Sequence, residues 1–253
     1  MNAKRTLGWT AASLAAASLL YIERDGIRSR LPAPTEPRVR TTYRYFAHVY
    51  NTVANLFLFG QERPTRRRVV ALADLQPGDI VLDLACGTGR NFPYILDRIG
   101  SEGWLIGFDY TPEMLQTAQQ TVDAQGWRNV TLLQGDAAQL SREQISAALP
   151  ESSEGVDAVI STFAFCVIPG WEEALQRAAN LLKPGARLVV GDVKLSQRPL
   201  LRPFNLLADL LGGLAAGDLG RQPWLRFGSL LGDVTFEERF FGFFYVASGR
   251  KQR

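Results

Sequence analysis

The sequence predicts an α/β fold: a mostly parallel sheet with helices on both faces, preceded by a helical N-terminal arm. Three observations predict it. From Asp79 to Gly191, apolar runs of strand length alternate with helical segments, the pattern of a covered parallel sheet. Several of these strands end in turns rich in Gly or Asp. At 253 residues, 46% apolar and 21% charged, the chain suits one α/β domain with additions.

The elements follow in order. Arg66-Arg67-Arg68 opens a helix that reaches Leu75, and Pro77-Gly78 marks a turn. Ile80-Val81-Leu82-Asp83-Leu84 is the first strand, and Asn91 to Ile99 is a helix. Trp104 to Asp109 is the second strand. Thr111 caps the next helix, Pro112 takes its first position, and the helix runs to about Ala124. Val130 to Leu133 is the third strand and Val156 to Ser161 the fourth. Trp171 to Leu182 is helical and ends at Pro184-Gly185. Arg187 to Gly191 is the fifth strand, and Leu200 to Leu214 is an apolar helix. Phe236, Phe240, Phe241, Phe243, Phe244 and Tyr245 suit a terminal strand pair, which brings the sheet to seven strands.

Composition narrows the chemistry. Two cysteines, Cys86 and Cys166, and one histidine, His48, do not supply the roughly four ligands of a Cys/His zinc site. They also exclude a disulfide framework and suit a reducing, cytoplasmic compartment. No Gly-x-Ser-x-Gly elbow is present for His48 to serve, and no metal site is expected.

Charge is divided unevenly. Residues 1–70 carry 12 Lys/Arg against 4 Asp/Glu, and residues 71–253 carry 16 against 21. A basic arm of this kind meets an anionic surface. With no aromatic-interleaved basic motif for nucleic acid, the membrane is the expected partner. Leu7 to Ile22 is apolar but only 16 residues long, below the about 20 that a spanning helix needs. It suits an interfacial or short anchoring helix, while a signal peptide and an ordinary packed helix stay open. The expected division is therefore 1–40, an apolar helix with a basic Pro-containing linker, and 41–253, the catalytic domain. Within the latter, 41–75 is a helical lid or substrate segment, 76–192 the cofactor-binding core, and 193–253 the C-terminal helix and terminal strands.

Three sites fall at strand ends, where parallel sheets bind ligands. Asp83-Leu84-Ala85-Cys86-Gly87-Thr88-Gly89 is a strand running into a Gly-rich turn before a helix, suited to close backbone approach of an anionic group. Asp109 lies 20 residues after Gly89, placed to accept from both hydroxyls of a ribose. Gly135-Asp136-Ala137 offers a carboxylate and an amide to an adenine edge. Together they indicate a nucleoside cofactor. The dinucleotide fingerprint Gly-x-Gly-x-x-Gly fails, because Phe92 stands where the third glycine belongs, so the ligand lacks a pyrophosphate.

These residues resemble a known family. Val81 to Gly89 looks like motif I of the class I S-adenosylmethionine-dependent methyltransferases. Gly107 to Leu115 resembles its second signature, Gly135-Asp136-Ala137 its third, and Leu182 to Leu188 its turn into the fifth strand. The resemblance spans about residues 43–192 and implies a Rossmann-like seven-stranded sheet binding S-adenosyl-L-methionine. Asp83 would order the loop near the methionyl amino group, with Ala85, Gly87 and Gly89 presenting backbone to the methionine. Asp109 would hold the ribose, flanked by Tyr110 and Met114 at the adenine. Asp136 and the Ala137 amide would read the base. Ser161 and Thr162 would line the methyl-bearing end, and Tyr50 would face the cofactor carboxylate. Met114 also suits the core at its helical spacing, and motif I has Ala85 where Gly is common.

Methyl transfer needs the acceptor held in line with the methyl group. The candidate bases or acceptor contacts are His48 and Asp192, each with a structural alternative. Phe163, Phe165, Cys166, Val167 and Ile168 after the fourth strand, with the helix from Leu200, suit a hydrophobic acceptor. The run Val167 to Trp171 is similar to lipid head-group methyltransferases, and quinone methyltransferases share much of the pattern. A membrane lipid or prenyl-quinone is the expected acceptor. Aminocarboxypropyl transfer from the same cofactor, and a non-catalytic cofactor-binding scaffold, remain as alternatives.

Overall fold

The computed structural model describes residues 34–46, 58–149 and 155–252. The expected apolar helix Leu7–Ile22, His48 and Tyr50 lie outside these residues. The sheet has seven strands: β1 (Ile80–Leu84), β2 (Trp104–Asp109), β3 (Val130–Gln134), β4 (Val156–Thr162), β5 (Leu182–Val193), β6 (Gly232–Arg239) and β7 (Phe244–Arg250). Their order is β3-β2-β1-β4-β5-β7-β6. The first five pair in parallel, and β7 runs antiparallel to both β5 and β6. The chain leaves β1 toward β2 on one side and returns to β4 on the other, so a crevice opens above the carboxyl ends of β1 and β4.

The strands are apolar throughout because both sheet faces are covered. Alternate residues point to opposite sides. Val81, Ala158, Ile160 and Val189 join one core, packed by α2 (Glu62–Leu72), α3 (Phe92–Ile99) and α4 (Pro112–Gln125). Leu82, Leu84, Val159, Leu188 and Val190 join the other, under α5 (Arg142–Ala147), α6 (Trp171–Leu181) and α8 (Trp224–Leu230). The helices follow their patterns. α3 buries Phe92, Ile95, Leu96 and Ile99 at one-face spacing. α4 opens on Pro112 and stops at Gly126, whose φ of 67° is left-handed. α6 buries Ala174, Ala178 and Ala179, small side chains that bring it close to the sheet.

Several boundaries differ from expectation. The first helix, α1 (Glu36–Phe46), begins inside the segment read as linker, because Pro37 falls in the first turn, where a missing N–H breaks no bond. Helix α2 starts at Glu62 instead of Arg66 and ends at Leu72. Thr111 precedes α4 without a side-chain cap; its backbone N–H donates instead to Asp109 Oδ1, at 2.9 Å. Pro184-Gly185 lies within the span of β5. The register jumps there from Val156↔Leu182 to Ala158↔Arg187, so the turn survives as a bulge. Helix α5 went unread although Ser141 and Gln144 form a reciprocal capping box. Among the described residues, no helix is long and apolar enough to cross a membrane.

The position of α2 matters most for the site, and Gly191 sets it. A Cβ at 191 would fall inside contact distance of Val69 Cγ2 and 3.0 Å from Thr65 Cγ2, both on α2. Gly191→Ala is therefore expected to cost about 1–3 kcal/mol, read as a lower urea midpoint at unchanged slope.

Candidate active site

The loop after β1 is shaped by left-handed backbone. Ala85, Gly87 and Gly89 have φ of 55°, 56° and 79°. Glycine adopts this region freely, whereas Ala85 is held there at a cost of about 1–2 kcal/mol. Gly89 has a second reason to lack a side chain. A Cβ there would lie 2.7 Å from the Phe92 ring, and a Cβ at Gly107 would lie 2.8 Å from the same ring. Phe92 thus fills the space beneath the loop that the third glycine of a dinucleotide site leaves open.

Asp109 ties two loops together at the end of β2. Its Oδ2 accepts from the Gly87 N–H at 2.8 Å and its Oδ1 from the Thr111 N–H at 2.9 Å. Burial pushes its carboxyl up, and these amides pull against that. Each oxygen keeps a lone pair for a ligand. Asp136, at the end of β3, accepts from the Ala138 N–H at 2.9 Å and caps a short turn over Ala137–Gln139. Ala85, Gly87, Asp109, Tyr110, Met114, Asp136 and Ala137 line one cleft. The far wall is α1, through Glu36, Val39 and Tyr43, a helical stripe that sequence reasoning missed.

Beneath the loop lies a buried polar cluster. Asp83 is fully buried. Its Oδ1 accepts from Asn91 Nδ2 at 2.8 Å, and its Oδ2 has no partner. Arg66 reaches in from α2, donating to Glu62 Oε1 at 2.6 Å and to Asn91 Oδ1 at 2.9 Å, and also to Thr162 Oγ1. Arg90 donates to the other oxygen of Glu62.

Two candidates sit elsewhere than expected. Ser161 does not line the cleft; its hydroxyl donates to the Leu84 carbonyl at 2.9 Å, and Thr162 and Phe163 take the cleft-facing positions. Asp192 lines neither cavity. Its oxygens accept from the Cys166 and Val193 N–H groups at 2.9 and 2.7 Å. It orders the loop after β4, with burial raising its carboxyl to about 6.

A second, larger cavity adjoins the cleft and shares Tyr43, Phe163 and Val167 with it. Its walls are apolar side chains of α7 (Arg202–Leu214) and of the turn between β6 and β7. Thr42, Tyr43, Cys166 and Lys194 are the polar side chains among its described lining. Lys194 pairs with Glu238 at 2.5 Å and sits over the Trp224 ring at 5.6 Å. Phe163, at the junction, has φ of 57°, a strained position of the kind found at functional sites. The terminal aromatic run thus forms the expected strand pair and, through Phe240, Phe241, Phe243 and Phe244, also lines the cavity.

Burial is the main cause that lifts the Asp83 carboxyl to about 7. This is above the unfolded value of about 3.9, so the folded chain holds an extra proton between about pH 4 and pH 7. Asp83's contribution to stability is complete below that window and is lost as pH rises through it. Asp83→Asn keeps an acceptor for Asn91 and removes the charge. At pH 8 it is expected to melt higher than the parent by the equivalent of about 1–3 kcal/mol, the cost of one buried unsatisfied group. The gain should shrink toward pH 5 in calorimetric scans.

Comparison with known proteins agrees with this geometry. A family profile described as "Methyltransferase domain" matches residues 81–185, the span from β1 into β5. A demethylmenaquinone methyltransferase of Desulfitobacterium hafniense is 26% identical over 185 residues, covering 71% of this chain and 70% of the relative. One chain of a Haloferax volcanii complex containing the Trm112 methyltransferase activator superposes with a TM-score of 0.66 at 19% identity, covering 85% of this chain and 98% of that one. A SAM-dependent methyltransferase from Aquifex aeolicus does so with a TM-score of 0.50 at 19% identity, covering 74% and 89%. The two structural likenesses show the shared fold. With the Asp109-bound Gly-rich loop, the family profile leads to one conclusion: residues 81–185 are a methyltransferase domain of the S-adenosylmethionine-dependent kind.

Proposed function

We propose that the acceptor of the methyl group is a lipophilic molecule, a prenyl-quinone or a membrane lipid with a methylatable head group. The observation that carries this reading is the apolar cavity that opens from the cofactor cleft through Tyr43, Phe163 and Val167. The demethylmenaquinone methyltransferases among the relatives support it, and so does the scarcity of polar groups in the cavity wall.

S-Adenosylmethionine supplies an electrophilic methyl group on a sulfonium. The residues present fit this cofactor. The unpartnered Oδ2 of buried Asp83 suits its amino group, and the backbone of Ala85, Gly87 and Gly89 gives the methionine close approach. Asp109 is oriented by Gly87 and Thr111 to accept from the ribose hydroxyls. Tyr110 and Met114 flank the base, with Asp136 and Ala137 at its edge. Phe163 and Val167 then position the acceptor and exclude water from the junction. Low polarity there favours a reaction that moves a positive charge off sulfur. With Asp192 committed to backbone amides, the contribution of the described residues is orientation.

Asp109→Asn keeps an acceptor oxygen for only one of the two backbone donors and loses the charge. S-Adenosylmethionine affinity is expected to fall at least tenfold by titration calorimetry, since a hydrogen bond to a charged group contributes about 1.5–3 kcal/mol. Unchanged affinity would place the ribose elsewhere.

The acceptor itself is tested with methyl-labelled cofactor and a detergent-dispersed lipid extract from cells lacking the protein. Label is expected in the organic phase, in a quinone or polar-lipid fraction. Label confined to water-soluble products would overturn the lipophilic-acceptor reading.

A further inference from the structure

Helix α7 is built inside out. A surface helix ordinarily turns its apolar stripe to the core and its polar residues to water. Here, past Arg202 at its start, the polar side chains of the helix are Asn205 and Asp209, which lie one turn apart and are both buried. Asn205 accepts from the Ser196 N–H and donates to the Ser196 carbonyl, each at 2.9 Å. From α1, Arg38 donates to the Gly213 carbonyl at 2.5 Å. The outer face carries Phe204, Leu207, Leu210 and Leu214, each more than half exposed, and Leu200 just before the helix is 87% exposed.

Across the cavity mouth, the turn between β6 and β7 adds aromatic surface. Phe240 and Phe241 have φ of 43° and 59°, a region that costs a non-glycine residue about 1–2 kcal/mol. Phe241 is nonetheless turned outward, and Phe59 stacks on Phe240 at 6.1 Å. Single exposed apolar residues are ordinary. These are contiguous, because Phe59, Phe204, Leu207, Leu214 and Phe241 all line one cavity, and a patch of that kind marks an interaction surface.

Charge selects the partner. The one acidic residue of α7, Asp209, is turned inward, while Arg198 and Arg202 are exposed at the helix start. A second copy of α7 would cover the apolar face but offer these arginines no acidic partner, since its own Asp209 is turned inward. An anionic bilayer leaflet complements both features: apolar side chains enter the acyl boundary and arginines meet the head groups. We infer that α7 and the β6–β7 turn form a membrane-docking surface that seats the protein on an anionic leaflet, with the acceptor cavity opening into the lipid. Docking stands on the exposed face alone; its use as the acceptor's entry route rests on the lipophilic-acceptor reading.

The test uses the full chain and flotation with vesicles of phosphatidylcholine, alone or mixed with phosphatidylglycerol. The parent protein should float, and more strongly with the anionic lipid. A Leu200→Glu/Leu210→Glu variant changes two exposed positions that do not line the cavity. Its bound fraction should fall at least tenfold, with melting temperature and S-adenosylmethionine affinity unchanged. Three results would overturn the surface: a parent that does not float, a variant that floats equally well, or a parent dimer by light scattering that the variant abolishes. Methylation of the detergent-dispersed extract separates the two readings. Its failure with flotation intact removes the lipophilic acceptor and leaves the docking surface in place.

Discussion

Arg66 carries its guanidinium from α2 into a space closed by the ends of β1 and β4, and a charge survives there because its neighbours are polar. Glu62 beneath it is fully buried and accepts from both Arg66 and Arg90. Asn91 and Thr162 accept from Arg66 Nη1. The cluster joins α2, β4 and the start of α3, and it reaches Asp83 on β1 through Asn91. Buried ion pairs of this sort add little stability over an apolar core; what they fix is position. Arg66 also lies 5.2 Å over the Phe163 ring, so the same charge that anchors the loop after β1 holds the residue where the two cavities meet.

The sheet turns this arrangement into a division of labour. Parallel strands place the Gly-rich loop, Asp109 and Asp136 in a row along their carboxyl ends. Everything that suits a nucleoside therefore lies on the β1–β3 side. The antiparallel pair β6–β7 sits at the opposite edge, and its turn reaches the larger cavity with Phe240 and Phe241. The loop after β4 lies between the two. Asp192 holds that loop through the Cys166 N–H, so a buried carboxylate read as a candidate base serves to keep the junction in shape.

Much of this was legible because parallel strands buried on both faces appear as plain apolar runs. β1 and β2 lie where the pattern placed them, and the Gly87 and Asp109 positions followed from their strand ends. The polar cluster was not legible. Glu62, Thr65, Arg66, Val69 and Val70 are the buried residues of α2, at helical spacing, but that face is spelled partly in charges. An Arg-Arg-Arg run reads as solvated surface, and only Arg66 of the three is buried. Of the pair Ser161 and Thr162, only Thr162 faces the cleft. Strand β4 continues to Thr162, and in a strand a shift of one exchanges the two faces. The apolar stripe of α7 was visible, but periodicity alone does not say which side of a helix faces inward.

That inversion bears on how the large cavity stays open. Apolar walls facing water tend to close on one another, since protein interiors pack as densely as organic crystals. Here directional bonds set the spacing instead. Asn205 holds the start of α7 to Ser196, and Arg38 holds its end through Gly213. Lys194 is held to Glu238 on β6, and Ser196 Oγ donates to the Phe241 carbonyl at 2.8 Å. Each tie is polar and fixed in direction, so closing the walls would break it and leave a buried donor or acceptor unpaired, at about 1–3 kcal/mol each. The apolar surface that an ordinary helix would spend on its own core is thereby left for another molecule to cover.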